Sequence, residues 1–349
     1  MKKFFWLVAL ILGIGLYLRN IQGWDWERAR ALPGVSYVFK EDASATTTPI
    51  GQRGTGTHWE TASSMPFARA DFGTVVVGDR IFIIGGHDGY ARTLVSVLVY
   101  DIPTDLWSEV APLPQALHHP AVATDGKQIF VVGGLTSISS RPLDVVYAYD
   151  PIRNSWSELG QLNDFRGDAA AAYVGDRLVI LGGTTTAGTD GAFEAYDLDR
   201  KGWNGLPTMP TARRGHQVAV MNGELFVFGG RFGTSKDILS TQVFKEVGEW
   251  KSLRDMPASR RAFGTFVHEG KIHVLGGLND TGLPAFIDAY DPAKDAWSSF
   301  PLEMPHPRHG LGVATYKNRV YVIGGGMRKG FSVSDLNEVL ILETAAVKK

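Results

Sequence analysis

The chain has 349 residues, 44% hydrophobic and 11% aromatic, with 41 glycines, no cysteine and a formal net charge of −1. The apolar share suffices for a packed core, and the near-neutral charge gives no reason to expect nucleic acid or a strongly charged partner. The missing cysteine excludes disulfides and cysteine-based chemistry, while the glycines and aromatics suit many tight turns between stacked sheets.

Lys2 and Lys3 precede an apolar run from Phe4 to Leu18. As a helix this run spans roughly 22 Å, short of the roughly 30 Å hydrocarbon core of a bilayer. It reads as a signal peptide or a short uncleaved anchor over residues 1–22. A cleavable signal wants small residues at alternating positions near its end. Gly13 and Gly15 are the only such pair, and they sit inside the run. Trp24 and Trp26 follow Arg19 and Asn20, as interfacial aromatics would. The anchor reading is preferred, and either reading exports the rest of the chain to a cell envelope, facing the periplasm or exterior. Residues 23–56 read as a linker, with Ser, Thr and Gly gathered between 40 and 57.

From there the sequence repeats. Glycine pairs stand at Gly85-Gly86, Gly133-Gly134, Gly182-Gly183, Gly229-Gly230, Gly276-Gly277 and Gly324-Gly325. A nearly constant step of about 48 residues separates them, and a fixed period of this size marks a repeat architecture. Each pair ends a four-residue apolar run, such as Ile81-Phe82-Ile83-Ile84 or Val320-Tyr321-Val322-Ile323, and these runs predict buried strands. Tyr-Asp keeps step with the glycines at Tyr100-Asp101, Tyr149-Asp150, Tyr196-Asp197 and Tyr290-Asp291, and a tryptophan stands seven positions after each Tyr. Repeat four departs, with Phe244-Lys245 and Trp250.

Strand, Gly-Gly, Tyr-Asp and Trp in this order resemble the kelch repeat. The resemblance covers about residues 57–343 and implies an all-β fold, a six-bladed β-propeller with one four-stranded blade per repeat. Trp59 stands ten residues before Arg69, as Trp107 stands before Leu117 and Trp156 before Arg166, so it reads as an outer-strand tryptophan with no blade of its own. The last repeat lacks that tryptophan. The residues around Trp59 are therefore expected to supply the outer strand of the last blade and close the ring, since an open ring leaves unpaired edges. Residues 344–349 are a tail.

Sixteen residues before each glycine pair lie Arg69, Leu117, Arg166, Arg213, Arg260 and Arg308. The five arginines are expected as a ring at the channel mouth. They could simply bond loop carbonyls, or they could bind carboxylates and other anions. Two residues further in, the register reads Asp71, His119, Asp168, Gly215, Ala262 and Gly310. Asp, His and Asp at one level on three adjacent blades could bond a sugar, form an acid–base set or hold a weak cation. A water-filled channel with satisfied polar groups explains them equally well. Asp71, His119, Asp168 and the five arginines are the candidate ligand-binding residues. His118, His309, Arg214 and Arg261 lie one position earlier, and the loops after the pairs add His87, Asp88, Arg231, Asn279, Asp280 and Arg328.

No G-x-S-x-G, H-E-x-x-H or Walker loop is present, and no metal or cofactor is expected. Galactose-oxidase chemistry, found on kelch propellers, needs a cysteine this chain lacks. The expected function is an exported, membrane-tethered module that docks a protein or glycan on one face of the propeller. The alternatives are a sugar mutarotase or epimerase at the channel mouth, similar in architecture to the periplasmic sialic-acid mutarotase, and a purely structural envelope protein.

Overall fold

The structure, a computed structural model, describes residues 48–49, 56–136, 141–197, 200–234, 236–245 and 248–343. The expected N-terminal helix and most of the expected linker lie outside the described residues. Among those described, no helix occurs, and so none is long and apolar enough to cross a membrane.

Six blades, each built on a four-stranded antiparallel sheet, follow one another along the chain, with two short hairpins beside them among the described residues. Blade one is the meander Gly73–Val77, Arg80–Ile84, Val97–Asp101 and Leu106–Val110. Blades two to six begin with the strands Ala121–Thr124, Ala170–Val174, Gln217–Met221, Gly264–His268 and Gly312–Tyr316. These first strands are the innermost. Each contacts its two neighbours, and Gly312–Tyr316 contacts Gly73–Val77, so the ring has no free end. In blade six the strand Asn337–Ile341 pairs on its outer side with His58–Thr61, placing Trp59 opposite Leu340.

The short apolar runs are the second strand of each blade, and apart from His273 in blade five they are apolar because both faces are covered. Ile81 and Ile83 pack toward blade six, while Phe82 and Ile84 pack toward blade two. Six apolar clusters result, one in each seam between neighbouring blades, including the seam between six and one. A fully buried aliphatic or aromatic side chain contributes about 1.5–3 kcal/mol, so the seams carry most of the stability.

The repeated motifs are the seams' polar fastenings. Tyr100 donates to Asp105, and the same carboxylate accepts the Ser63 amide at 2.9 Å. The Trp107 indole donates to the Ser63 carbonyl at 2.7 Å. One residue of the preceding blade's outer loop is thus gripped at both its amide and its carbonyl. Asn154 and Trp156 grip Ala111 in the same way, and Asp295 and Trp297 grip Arg254. This fixes the spacing from Tyr to Trp.

The glycine pairs serve the inner end of each seam. Both glycines have positive φ, about 60° and 90–110°, a region that costs an L-residue about 1–2 kcal/mol. The second amide donates to the next blade's first-strand entry carbonyl, as in Gly86 to Leu117 at 2.9 Å and Gly325 to Arg69 at 2.9 Å. A Cβ on Gly133 would stand 2.0 Å from the Arg166 carbonyl oxygen. Only glycine lets the neighbouring backbone come this close.

Candidate functional site

The inner strands run antiparallel to the second strands, so the entry residues and the loops after the glycine pairs share one end of every blade. At that end, Asp71, His119, Asp168, Gly215, Ala262 and Gly310 form a closed ring of backbone hydrogen bonds. The amide of His119 donates to Asp71 at 2.7 Å, Asp168 to His119 at 3.2 Å and Gly215 to Asp168 at 3.0 Å. Ala262 donates to Gly215 at 2.9 Å, Gly310 to Ala262 at 2.8 Å and Asp71 to Gly310 at 2.8 Å. All six residues have φ between 49° and 60°. Gly, Asp and His tolerate this left-handed conformation, whereas Ala262 carries strain. The asymmetry seen in the sequence is therefore a difference of side chains on one strictly repeated backbone.

The side chains at this ring do not act as one set. Asp71 is joined by two imidazoles: His87 Nε2 at 3.0 Å from Oδ2 and His119 Nε2 at 3.3 Å from Oδ1. His87 Nδ1 faces the Asp88 carbonyl at 2.9 Å. Both partners of His87 are acceptors, an arrangement that an imidazolium, with a proton on each ring nitrogen, satisfies in full. Burial pushes the His87 pKa down, but its bonds to Asp71 and to the Asp88 carbonyl outweigh that and raise it above the ordinary histidine value. Burial likewise pushes the Asp71 carboxyl up, while His119 and His87 pull harder and hold it well below the usual carboxylate range. His119 Nδ1 stands 2.6 Å from His118 Nδ1, so one of the two donates to the other. Asp168 turns to the other side and accepts from Arg214 Nη1 at 2.9 Å.

The arginines expected at the mouth are elsewhere. Arg69, Arg166, Arg213, Arg260 and Arg308 are at most 2% exposed. Each guanidinium donates to the carbonyl of the first glycine of its own blade's pair: Gly85, Gly182, Gly229, Gly276 and Gly324. They also meet polar residues on the third strand, namely Glu194 at 3.0 Å from Arg166, Gln242 at 3.0 Å from Arg213 and Asp288 at 2.8 Å from Arg260. Arg308 binds Glu338. Burial lowers the pKa of Arg69 and Arg213 to about 10, so they remain charged at neutral pH. The expectation of a ligand-facing arginine ring is corrected: the left-handed glycine turn exposes a carbonyl inside each blade, and the arginine is consumed in satisfying it. Leu117 replaces arginine in blade two, and Tyr147 stands there at the third-strand position that carries the polar partner in blades three to six.

Three other arginines do reach the mouth. Arg214 spans from blade four to Asp168 on blade three, Arg261 spans from blade five to Asp237 on blade four at 2.7 Å, and Arg231 lies beside them. Asp237 is not recognisable from the repeat, because it lies in a loop hairpin, Arg231–Phe232 with Lys236–Asp237, whose counterpart in blade three, Thr184–Thr185 with Gly188–Thr189, is shorter. The rim also carries Tyr90 (61% exposed), Phe232 (52%) and Phe331 (52%), and Phe331 packs edge-on against His87 at 5.6 Å. Their signal in the sequence is only their position in the loops after glycine pairs. Among the described residues, no three His, Asp or Glu side chains converge as a metal site.

Two family models match the chain: a KLHDC2/KLHL20/DRC7 kelch-repeats domain over residues 167–348 and an attractin/LZTR1 β-propeller over residues 54–240. Beta-scruin of Limulus polyphemus is 34% identical over 101 residues, 29% of this chain and 11% of that protein. Kelch-like protein terF of Aspergillus terreus is 37% identical over 83 residues, 22% of this chain and 18% of that protein. The matched segments thus span less than a fifth of the length of these relatives. The solved structure of YjhT superposes with a TM-score of 0.70 at 14% identity, covering 82% of this chain and 98% of that one, which shows a common fold. Six blades, their glycine-pair seams and both family matches establish that this chain belongs to the kelch-repeat β-propeller family.

Proposed function

We propose that this propeller is an interaction module that docks a protein or glycan on the face bearing the Asp71–Asp168 ring. The observation that carries the reading is the exposed aromatic rim of Tyr90, Phe232 and Phe331 around polar groups already paired with one another. Large aromatics on preformed loops bind at low entropic cost, and loops on a rigid scaffold are where binding concentrates. Kelch-repeat proteins generally bind protein partners. A pulldown and a glycan array with the full chain, repeated with Phe331→Ala and Tyr90→Ala, test the reading. Partners captured equally well by both variants would sink it.

The second reading, a mutarotase or epimerase, draws on His119, whose side chain is 24% exposed beside the Asp71 carboxylate. Asp71 itself is held too low to donate a proton near neutral pH, and Asp168 is held by Arg214, which favours binding over acid–base chemistry. Anomer interconversion followed by NMR, with and without His119→Ala, decides between them.

We further infer that Lys2-Lys3 and the Phe4–Leu18 run deliver the propeller to a cell envelope and hold it at the membrane. Fractionation with mass spectrometry of the N-terminus tests this. A soluble mature chain beginning near residues 16–30 would overturn the anchor while keeping export.

A further inference from the structure

We propose that Arg214, Arg231 and Arg261 form a carboxylate-binding subsite on the blade-four side of the channel mouth. The proposal rests on the docking reading above and names the chemistry of what docks. Arg214 and Arg231 are backbone neighbours: the Arg214 amide donates to the Arg231 carbonyl at 3.0 Å, and the Arg231 amide returns to Arg214 at 2.9 Å. Arg261 comes from the next blade. A Cβ on Gly215 would lie 3.4 Å from an Asp168 oxygen and 3.6 Å from the Arg261 Cβ, so the Asp168–Arg214 pair and Arg261 border the same spot on the ring.

Charge is unbalanced there. Three guanidiniums share two contacting carboxylates, Asp168 and Asp237. Arg231 is the one left short. Its Nε is buried, stands 3.8 Å from Asp237 Oδ1, and has no hydrogen-bond partner among the described residues. Its only guanidinium donation among the described residues goes to the Thr234 carbonyl in its own hairpin. Burial, then the neighbouring Arg261, push the Arg231 pKa down; Asp237 opposes them, Arg214 adds to them, and Asp280 weakly opposes. Repulsion of this kind is relieved by an incoming anion. The side chains of Arg214, Arg231 and Arg261 are 28%, 16% and 17% exposed, so the cluster is open to solvent yet partly desolvated. Partial burial strengthens a charge–charge contact relative to bulk water. The planar fork of arginine matches a carboxylate.

The carboxylate can be borne by an acidic sugar or by an acidic amino-acid side chain, and titration of the full chain separates these. The probes are glucuronate against glucose, and acetyl-glutamyl amide against acetyl-glutaminyl amide. At least one carboxylate is expected to bind at about millimolar Kd, about tenfold more tightly than its neutral counterpart, and to weaken as salt rises. Which carboxylate binds identifies the source. Arg231→Gln should abolish the preference with the melting temperature unchanged. Arg231→Lys, which keeps charge but loses the fork, should weaken it by less. Equal binding of charged and neutral probes, no binding of either carboxylate, or an unaltered preference in folded Arg231→Gln each overturns the subsite. If Phe331→Ala removes carboxylate binding and Arg231→Gln does not, the docking face stands and the arginine subsite falls. If neither variant alters binding, both fall.

Discussion

The amide of Asp71 donates to the carbonyl of Gly310 at 2.8 Å, joining the first blade's inner end to that of the last. Because φ at Gly310 is 59° and a Cβ there would stand 2.3 Å from Asp71 Oδ1, Gly310→Ala strains the backbone and displaces the carboxylate together. Gly310→Ala should lose about 2–4 kcal/mol, read from denaturant unfolding. Ala262→Gly, at φ 50° in the same ring, should be neutral or gain up to about 1 kcal/mol, as the relieved strain is partly offset by unfolded-chain entropy.

Arg260 donates to two carbonyls and to buried Asp288. Burial raises the Asp288 pKa against the pull of Arg260, so the pair survives only while both members are present. Arg260→Ala should destabilise by about 3–5 kcal/mol and leave the affinity of the folded fraction for any docked partner unaltered. Thermal unfolding beside a binding isotherm separates the two effects. A folded variant with weakened binding would return the arginine to the ligand.

Acid should weaken the fold through two buried histidines. His216 stands where blades one and five carry Phe72 and Phe263 and is buried like them. Burial, helped by Arg213, lowers its pKa to about 3, and burial lowers His273 to about 4. An unfolded histidine titrates near 6.5. Between that pH and the folded values the unfolded chain binds more protons, so stability falls as pH falls from about 6.5 toward 4. His87 has the opposite sign: its raised pKa adds stability below about 6.5 that is lost as pH rises through the folded value. His216→Phe should flatten the acid slope and raise stability at neutral pH, measured as melting temperature against pH. An unchanged slope would exclude His216 as a contributor.

Repeat number, blade count and the six strand-ending glycine pairs are readable because each rests on a backbone requirement that recurs once in every blade. The same ruler places the left-handed ring at Asp71, His119 and Asp168, although its positive φ is not legible, since Asp, His and Ala do not announce it as glycine does. The arginines are misplaced by that ruler because position along the repeat says nothing about whether a side chain turns to the channel or back into its own blade. Only the carbonyl freed by the glycine turn decides that. Asp237, Phe331 and Tyr90 lie in loops whose lengths differ between blades, and no register reaches them.

The strand His58–Thr61 pairs with Asn337–Ile341, and Ser63 just beyond it is gripped by Asp105 and Trp107 of blade one. A chain shortened by residues 1–40 should unfold cooperatively. A chain shortened by residues 1–66 should aggregate or lose cooperativity through its exposed edge. Equal melting of the two would show that the ring does not need this strand.

The most direct measurement of the docking face is a binding isotherm for a captured partner against Asp71→Asn/Asp168→Asn, with Lys294→Ala in the turn before Trp297, at the far end of blade five, as control. Asparagine tolerates the left-handed backbone at both positions, so the ring should persist, at the cost of the stability lost with the Asp71–His87 and Asp168–Arg214 pairs. Affinity is expected to fall by about tenfold or more in the double variant and to be unchanged in Lys294→Ala. Full affinity in the folded double variant, or loss in the control, would contradict docking at the channel mouth.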